Sequence, residues 1–240
     1  MGVTGGANAK TTDTTNLSFI MDAANPVSYT SGATKTYNLM GGQTGSIINN
    51  TSYSPEGGGS WHFDGTDDRV DCDTFFNIVG SGSLANYTIE IWLKGDSVAN
   101  YDVAIGSGTT NFHQGGWSIL YHSGKLMADG TWGGTGTGRK YPSSNLSEAS
   151  LESSFHQTVV TYNGSTVEIY VDGELGTLYD AGTVNGGMNA NDEQLQFGGT
   201  GQASWAEWDG KIADVRVYNK ALSAAEVLQN YNNQKGRYGY

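Results

Sequence analysis

Three tryptophans in glycine-rich stretches are the residues best placed to do chemistry at a surface. Trp132 lies within Gly130-Thr131-Trp132-Gly133-Gly134, and Trp205 and Trp208 flank Ala206-Glu207. Aromatic rings pack on the C–H faces of sugars while Asn, Asp and Gln fix hydroxyls. With Tyr121 and Asn111, these tryptophans compose a candidate carbohydrate-binding set. The same rings also suit a core cap or a protein interface, and that alternative stays open. Asp64, Asp67 and Asp68 crowd one turn, where carboxylates and carbonyls could supply the oxygens a calcium ion requires. The plain alternative is a solvated acidic turn. His62, His113, His122 and His156 form no metal-spaced pair, and no Gly-x-Ser-x-Gly elbow is present. No catalytic residue is expected.

Elements must hold these side chains, and the composition bounds them. The chain has 240 residues with 36 glycines and only 15% charged residues, which suits many tight turns between short strands. That length can form one large β domain. Twelve Lys and Arg against 24 Asp and Glu give a net charge of −12, which repels phosphate backbones and anionic bilayers. A nucleic-acid partner is therefore not expected. A single cysteine, Cys72, precludes an internal disulfide framework. Residues 1–15 are small and polar and read as a flexible arm, with the folded domain at 16–240. No apolar leader or membrane-spanning run is visible, so neither export by signal peptide nor membrane insertion is expected.

Period-2 patterning marks the strands. Tyr87 to Lys94 alternates strictly, with Ile89, Ile91 and Leu93 on one face and Thr88, Glu90, Trp92 and Lys94 on the other, the latter only partly covered. Ser60 to Val70 reads as a strand, an Asp64-Gly65 turn and a second strand. Gly115 to Ala128 reads as a hairpin turning at Ser123-Gly124. Thr158–Tyr162, Asn163-Gly164, Thr166–Val171 and Asp172-Gly173 predict three consecutive antiparallel strands joined by two-residue turns. Near the end, Ala213, Val215 and Val217 share one face, opposite Asp214 and Arg216. Ser223-x-x-Glu226 then forms a capping box that starts a helix.

Four segments together resemble the concanavalin A-like lectin/glucanase superfamily in its laminin G-like branch. They are Phe63-Asp64-Gly65-Thr66-Asp67-Asp68, the strand Tyr87 to Lys94, the hairpin from Phe155 through Asn163-Gly164 to Tyr170-Val171-Asp172-Gly173, and the closing strand and helix. Phe155 stands where the family usually opens that hairpin with Trp. The ending from Gln229-Asn230-Tyr231-Asn232 to Gly236-Arg237-Tyr238-Gly239 resembles structural proteins of tailed bacteriophages. The resemblance implies an all-β fold, a two-sheet antiparallel jelly-roll sandwich with a short C-terminal helix, carrying ligands on a concave face or rim with calcium nearby. Glucanases of the superfamily carry Glu-x-Asp-x-x-Glu on one strand. Glu207 and Asp209 match its first two acids, but Ile212 replaces the third, so half the chemistry is missing. The resemblance further implies a non-enzymatic virion surface protein, a head decoration or tail-associated module. It would contact capsid or tail proteins and host surface polysaccharide, as a monomer or homo-oligomer. Made in the host cytoplasm and released by lysis, such a protein needs no export address. A free lectin and a divergent glycoside hydrolase are the alternatives.

Overall fold

A computed structural model describes residues 16–74, 86–107, 117–130, 142–178, 194–200 and 206–240. The expected arm at 1–15 lies outside the described residues. In chain order the first strands are β1 (Leu17–Asp22), β2 (Lys35–Tyr37), β3 (Thr44–Ile48), β4 (Ser52–Ser54), β5 (Ser60–Asp64) and β6 (Arg69–Thr74). Next come β7 (Tyr87–Gly95), β8 (Asp102–Ser107), β9 (Trp117–His122), β10 (Lys125–Gly130), β11 (Pro142–Ser143) and the short helix α1 (Glu148–Ser153). The rest are β12 (His156–Tyr162), β13 (Val167–Val171), β14 (Glu174–Leu175), β15 (Thr177–Leu178), β16 (Gln194–Phe197), β17 (Ala206–Glu207), β18 (Asp209–Tyr218) and helix α2 (Ala224–Gln234).

The strands form two sheets. The first runs β14-β13-β12-β7-β18-β5-β4, with β1 also paired to β18, and the second runs β15-β11-β10-β9-β8-β16-β6-β3-β2. The pairs are antiparallel apart from β17 against β8. This is the expected all-β sandwich with a C-terminal helix. Between the sheets lie Trp61, Phe63, Ile89, Ile91, Trp117, Phe197, Val215 and others in one contiguous core. Alternation works as expected on β13, where Val167 and Ile169 enter that core and Tyr170 points away.

Three local expectations are corrected. The Asp64-Gly65 turn does not fold back into a hairpin: β5 and β6 belong to different sheets, so the turn carries the chain across the sandwich. The Asn163-Gly164 connection is longer than a two-residue turn, because Tyr162 pairs with Val167. There the Asn163 side chain accepts from the backbone N–H of Ser165 and Thr166 and rounds the loop. Ala213 does not share a face with Val215 and Val217. A register shift between Ile212 and Asp214 turns it outward against Trp92 and Phe155.

The outer face of the first sheet is fully occupied. Trp92 is completely buried rather than partly covered, because the C-terminal segment roofs it. Its indole stacks on Tyr238 at 3.8 Å and Tyr231 at 6.0 Å, and donates to Gln234 Oε1 at 2.6 Å. Beside it Glu90 is fully buried and accepts from four groups: Gln234 Nε2 (2.5 Å), Asn230 Nδ2 (2.8 Å), Gln157 Nε2 (3.1 Å) and the Tyr218 hydroxyl (3.2 Å). Burial and the Glu90 charge push the Tyr218 hydroxyl upward, so it stays a donor. Asp214 and Arg216, expected on the outward face, pair beneath the same roof at 2.7 Å. The capping box starts α2 as expected: Ser223 Oγ accepts from Glu226 N–H while Glu226 accepts from Ser223 N–H. Lower on that face, Lys211 bridges Asp96 at 2.6 Å and Glu56 at 3.5 Å, Lys94 reaches Glu56, and His62 meets Asp96.

Gln234 therefore holds the roof by bonding Glu90 with one end and Trp92 with the other. Replacing Gln234 by Leu should destabilise the protein by roughly 1–3 kcal/mol for each buried group left without its partner. Urea denaturation monitored by tryptophan fluorescence checks this, and Gln229→Ala on the exposed side of the helix serves as the neutral control.

Candidate ligand-binding face

The second sheet presents a different outer face. Thr36 and Gly45 point inward, since a side-chain carbon at Gly45 would meet Thr36, Val70 and Met21. Lys35 and Tyr37 therefore point out, as do the alternate residues of the strands that follow. Register places one outward row across seven strands: Lys35, Ser46, Asp71, Gln196, Gly106, Ser118 and Asp129. Every member is polar except Gly106, which leaves a gap in the row of side chains. The row passes from exposed Lys35 and Ser46 through half-buried Asp71 to buried Gln196, Ser118 and Asp129. On one side of it lies a small separate apolar cluster of Val103, Leu120 and Met127.

Half of the row is internally bonded. Asp71 Oδ1 accepts from Gln196 Nε2 at 2.7 Å and from Arg69 Nε at 2.9 Å. Ser118 differs: its hydroxyl is fully buried and has no hydrogen-bond partner among the described residues. A buried hydroxyl left unsatisfied is costly. At the solvent end of the sheet Tyr37 is 48% exposed and lies one outward position along from Lys35, an aromatic ring open to solvent. Near the far corner Tyr101 adopts a φ of 77°, rare for a bulky side chain, with its ring 4.5 Å from that of His122.

The residues singled out in the sequence fare unequally. Asn111, Trp132 and Trp205 lie outside the described residues. Trp208 is fully buried in the inter-sheet core, so its indole cannot stack on a sugar at the surface. Tyr121 is likewise a core residue. Its hydroxyl donates to Glu148 at 2.5 Å, and burial followed by that contact pushes it up to about 12. These two are corrected as surface binding residues, because alternation on β9 and the position just before β18 turn both rings inward.

The acidic turn is assembled as expected in one respect: carboxylate oxygens of Asp64, Asp67 and Asp68 lie within 4.8 Å of one another. Asp68 is held above the usual carboxylate range, first by burial and then by the charges of Asp64 and Asp67. A divalent cation would relieve that repulsion. Asp209, opposite Asp64 in the ladder, adds a further acid that spacing alone did not reveal. The three carboxylates are close enough together to converge on one divalent cation.

Two arrangements that suggest catalysis are spent on structure. Glu207 is buried and accepts from Thr200 N–H at 2.9 Å. Its carboxylate fills the space beside Gly199, where an added Cβ would lie 1.3 Å away, so only glycine fits there. His156 lies between Asp172 (Nδ1 to Oδ2, 2.6 Å) and the Ser154 and Ser150 hydroxyls (3.1 and 3.3 Å from Nε2). Yet Nε2 is also 3.1 Å from the Ser150 carbonyl, which can only accept. The ring is thus held on all sides by β12, α1 and the Asp172 turn, a structural role.

With this geometry in hand, comparison by sequence profile matches residues 64–228, more than half of the chain, to the family described as the concanavalin A-like lectin/glucanases superfamily, laminin G-like branch. The chain belongs to this superfamily. A sequence comparison with curated proteins finds no match. Among solved structures the chain is similar to domain 4 of AbnA, a GH43 extracellular arabinanase from Geobacillus stearothermophilus, in complex with arabinotriose. The TM-score is 0.60 at 12% identity, covering 90% of this chain and 98% of that one. It is also similar to the botulinum neurotoxin serotype D binding domain (TM-score 0.64, 16% identity, 91% of this chain and 51% of that). A third is Trypanosoma rangeli sialidase in complex with the inhibitor DANA (TM-score 0.59, 14% identity, 89% and 32%). At these identities the likeness is one of fold. The chain spans about half of the neurotoxin domain and a third of the sialidase.

The unsatisfied hydroxyl offers a clean test of this face. Ser118→Ala should leave the ligand-free protein as stable or more stable, by up to roughly 1–3 kcal/mol, because it removes an unbonded buried group. Differential scanning calorimetry reads the change.

Proposed function

We propose that this chain is a non-enzymatic recognition module that binds carbohydrate of a cell envelope through the outer face of its second sheet. The solvent end of the polar row carries this reading, where exposed Lys35 and Ser46 and half-buried Asp71 lie beside the exposed ring of Tyr37. Carboxylate, carboxamide, hydroxyl and ammonium groups are what sugar hydroxyls bond, and Tyr37 supplies the stacking surface. The arabinotriose carried by the AbnA domain, a similar fold, agrees with a binding rather than a hydrolytic role. So does the commitment of Glu207 to the backbone of Thr200.

The C-terminal resemblance to tailed-phage structural proteins supports placing the module on a virion surface, as a head decoration or a tail-associated protein. Its partners would then be capsid or tail proteins, with residues 1–15 as the anchor, and host surface polysaccharide. Co-sedimentation with envelope polysaccharide tests the recognition step. Tyr37→Ala should weaken saturable binding about 2–10-fold, the range expected for one aromatic contact, while the melting temperature stays unchanged. Binding unaffected by Tyr37→Ala would move the site elsewhere.

Calcium belongs to the same proposal, held by Asp64, Asp67 and Asp68 at the rim. At a calcium concentration 100-fold above Kd, binding should add about 2.7 kcal/mol to stability, a gain lost with chelator or in Asp64→Asn/Asp67→Asn. Because Asp68 is raised above the ordinary range, acid should protonate it at a higher pH than an ordinary aspartate. Calcium stabilisation should accordingly be present at neutral pH and fade early as pH falls.

A further inference from the structure

A cleft of about 400 Å3 opens at the other edge of the molecule, between the β13–β14 hairpin, the segment entering α1, and helix α2. Asn145, Leu146, Val171, Asp172, Glu174 and Tyr231 line it. This size lies within the range of sites that take small ligands or single side chains. The cleft belongs to the first sheet and shares no residue with the polar row, so it stands independently of the carbohydrate reading.

Its chemistry is acidic and only partly satisfied. Asp172 is held in place, since it accepts from His156 Nδ1 at 2.6 Å and from Gln157 N–H at 3.0 Å. Glu174 is exposed and has no ion pair or hydrogen bond among the described residues, so both of its oxygens are open. The Tyr231 hydroxyl feels both acids. Burial, then Asp172, Tyr240 and Glu174, push it up to about 12, and it remains protonated. Behind the acids, Val171 and Leu146 give the cleft an apolar wall. At its mouth Leu175 and Leu228 are 53% and 45% exposed, and Leu228 closes on the Gly173 turn. The protein's own Lys235 ammonium already rests 5.1 Å from the centre of the Tyr231 ring, on the rim of this region.

We infer that this cleft receives an arginine side chain of a protein partner, its aliphatic stem along Val171 and Leu146 and its guanidinium on the open carboxylate of Glu174. A carboxylate with both oxygens free matches the guanidinium fork bidentately, which favours arginine over the point charge of lysine. Asp172 adds a second negative charge at fixed position, and the exposed leucines supply the apolar contact a docked segment needs around such an anchor.

The experiment is an amide-resolved NMR titration of the full chain with Nα-acetyl-arginine methylamide, its citrulline counterpart and its lysine counterpart. The expected result is arginine-dependent shifts confined to residues 145–146, 171–175 and 231, weaker shifts with lysine, and none with citrulline. Glu174→Gln should weaken arginine binding at least about tenfold, the loss of one charge-assisted hydrogen bond. Because the Glu174 side chain makes no hydrogen bond among the described residues, this variant should keep the wild-type spectrum elsewhere. Equal shifts with citrulline, shifts centred outside the cleft, or undiminished binding in Glu174→Gln would each overturn the proposal.

Discussion

Glu90 is a carboxylate with no access to water, in the middle of β7, and much of the architecture follows from keeping it there. A buried charge is tolerated only when its hydrogen-bonding capacity is filled. Gln157 of β12 and Tyr218 of β18 come from the neighbouring strands, but the remaining donors, Asn230 and Gln234, come from α2. The helix therefore has to dock over this point and in this rotation. Once it does, Gln234 is also in reach of the Trp92 indole, and Tyr231 and Tyr238 stack on that ring. Propensity alone would leave an 11-residue helix marginal. The bonds to Glu90 and the stack on Trp92 fix it.

This docking divides labour between the sheets. The outer face of the first sheet is consumed by helix, stacked rings and ion pairs, whereas the second sheet keeps Lys35, Tyr37 and Ser46 exposed at one end. Polar satisfaction is uneven on both sheets: Glu90 under the helix has four partners, whereas Gln157 Oε1 beside it and the Ser118 hydroxyl on the second sheet are buried without one among the described residues.

Strand positions, the two-layer architecture and the capped helix were legible because each depends on neighbours in sequence: alternation on Val167 to Val171, the turn at Ser123-Gly124, the Ser223–Glu226 box. The polar row was not. Ser118 and Asp71 alternate with core residues and so declare an outward face, but nothing local says that strands 46, 71, 106, 118 and 196 residues along the chain line up in register. Trp208 and Tyr121 misled for the related reason that glycine neighbours suggest exposure, while long-range packing sets the direction of a ring. Alternation around Glu90 and Trp92 pointed to a half-covered face. Only the return of residues 224–238 onto that face makes it interior. The Asp64–Asp68 cluster was readable because a turn brings its own members together, and Asp209 was missed because a ladder sets it opposite Asp64 from far along the chain, on β18.

Tyr231 joins the roof to the cleft. One side of its ring belongs to the stack over Trp92, while its hydroxyl end faces Asp172 and Glu174. The cleft is thus shaped by the same docking that satisfies Glu90, and its wall exists only while α2 is seated. A ligand in the cleft gains from a wall already ordered, since the entropy of placing Tyr231 has been met by folding rather than by binding. The dependence runs both ways. A group bound to the seated helix and not to a lifted one must favour docking by its own binding free energy. The acidic edge of the first sheet and its buried carboxylate are in this sense one system, with α2 as the shared element.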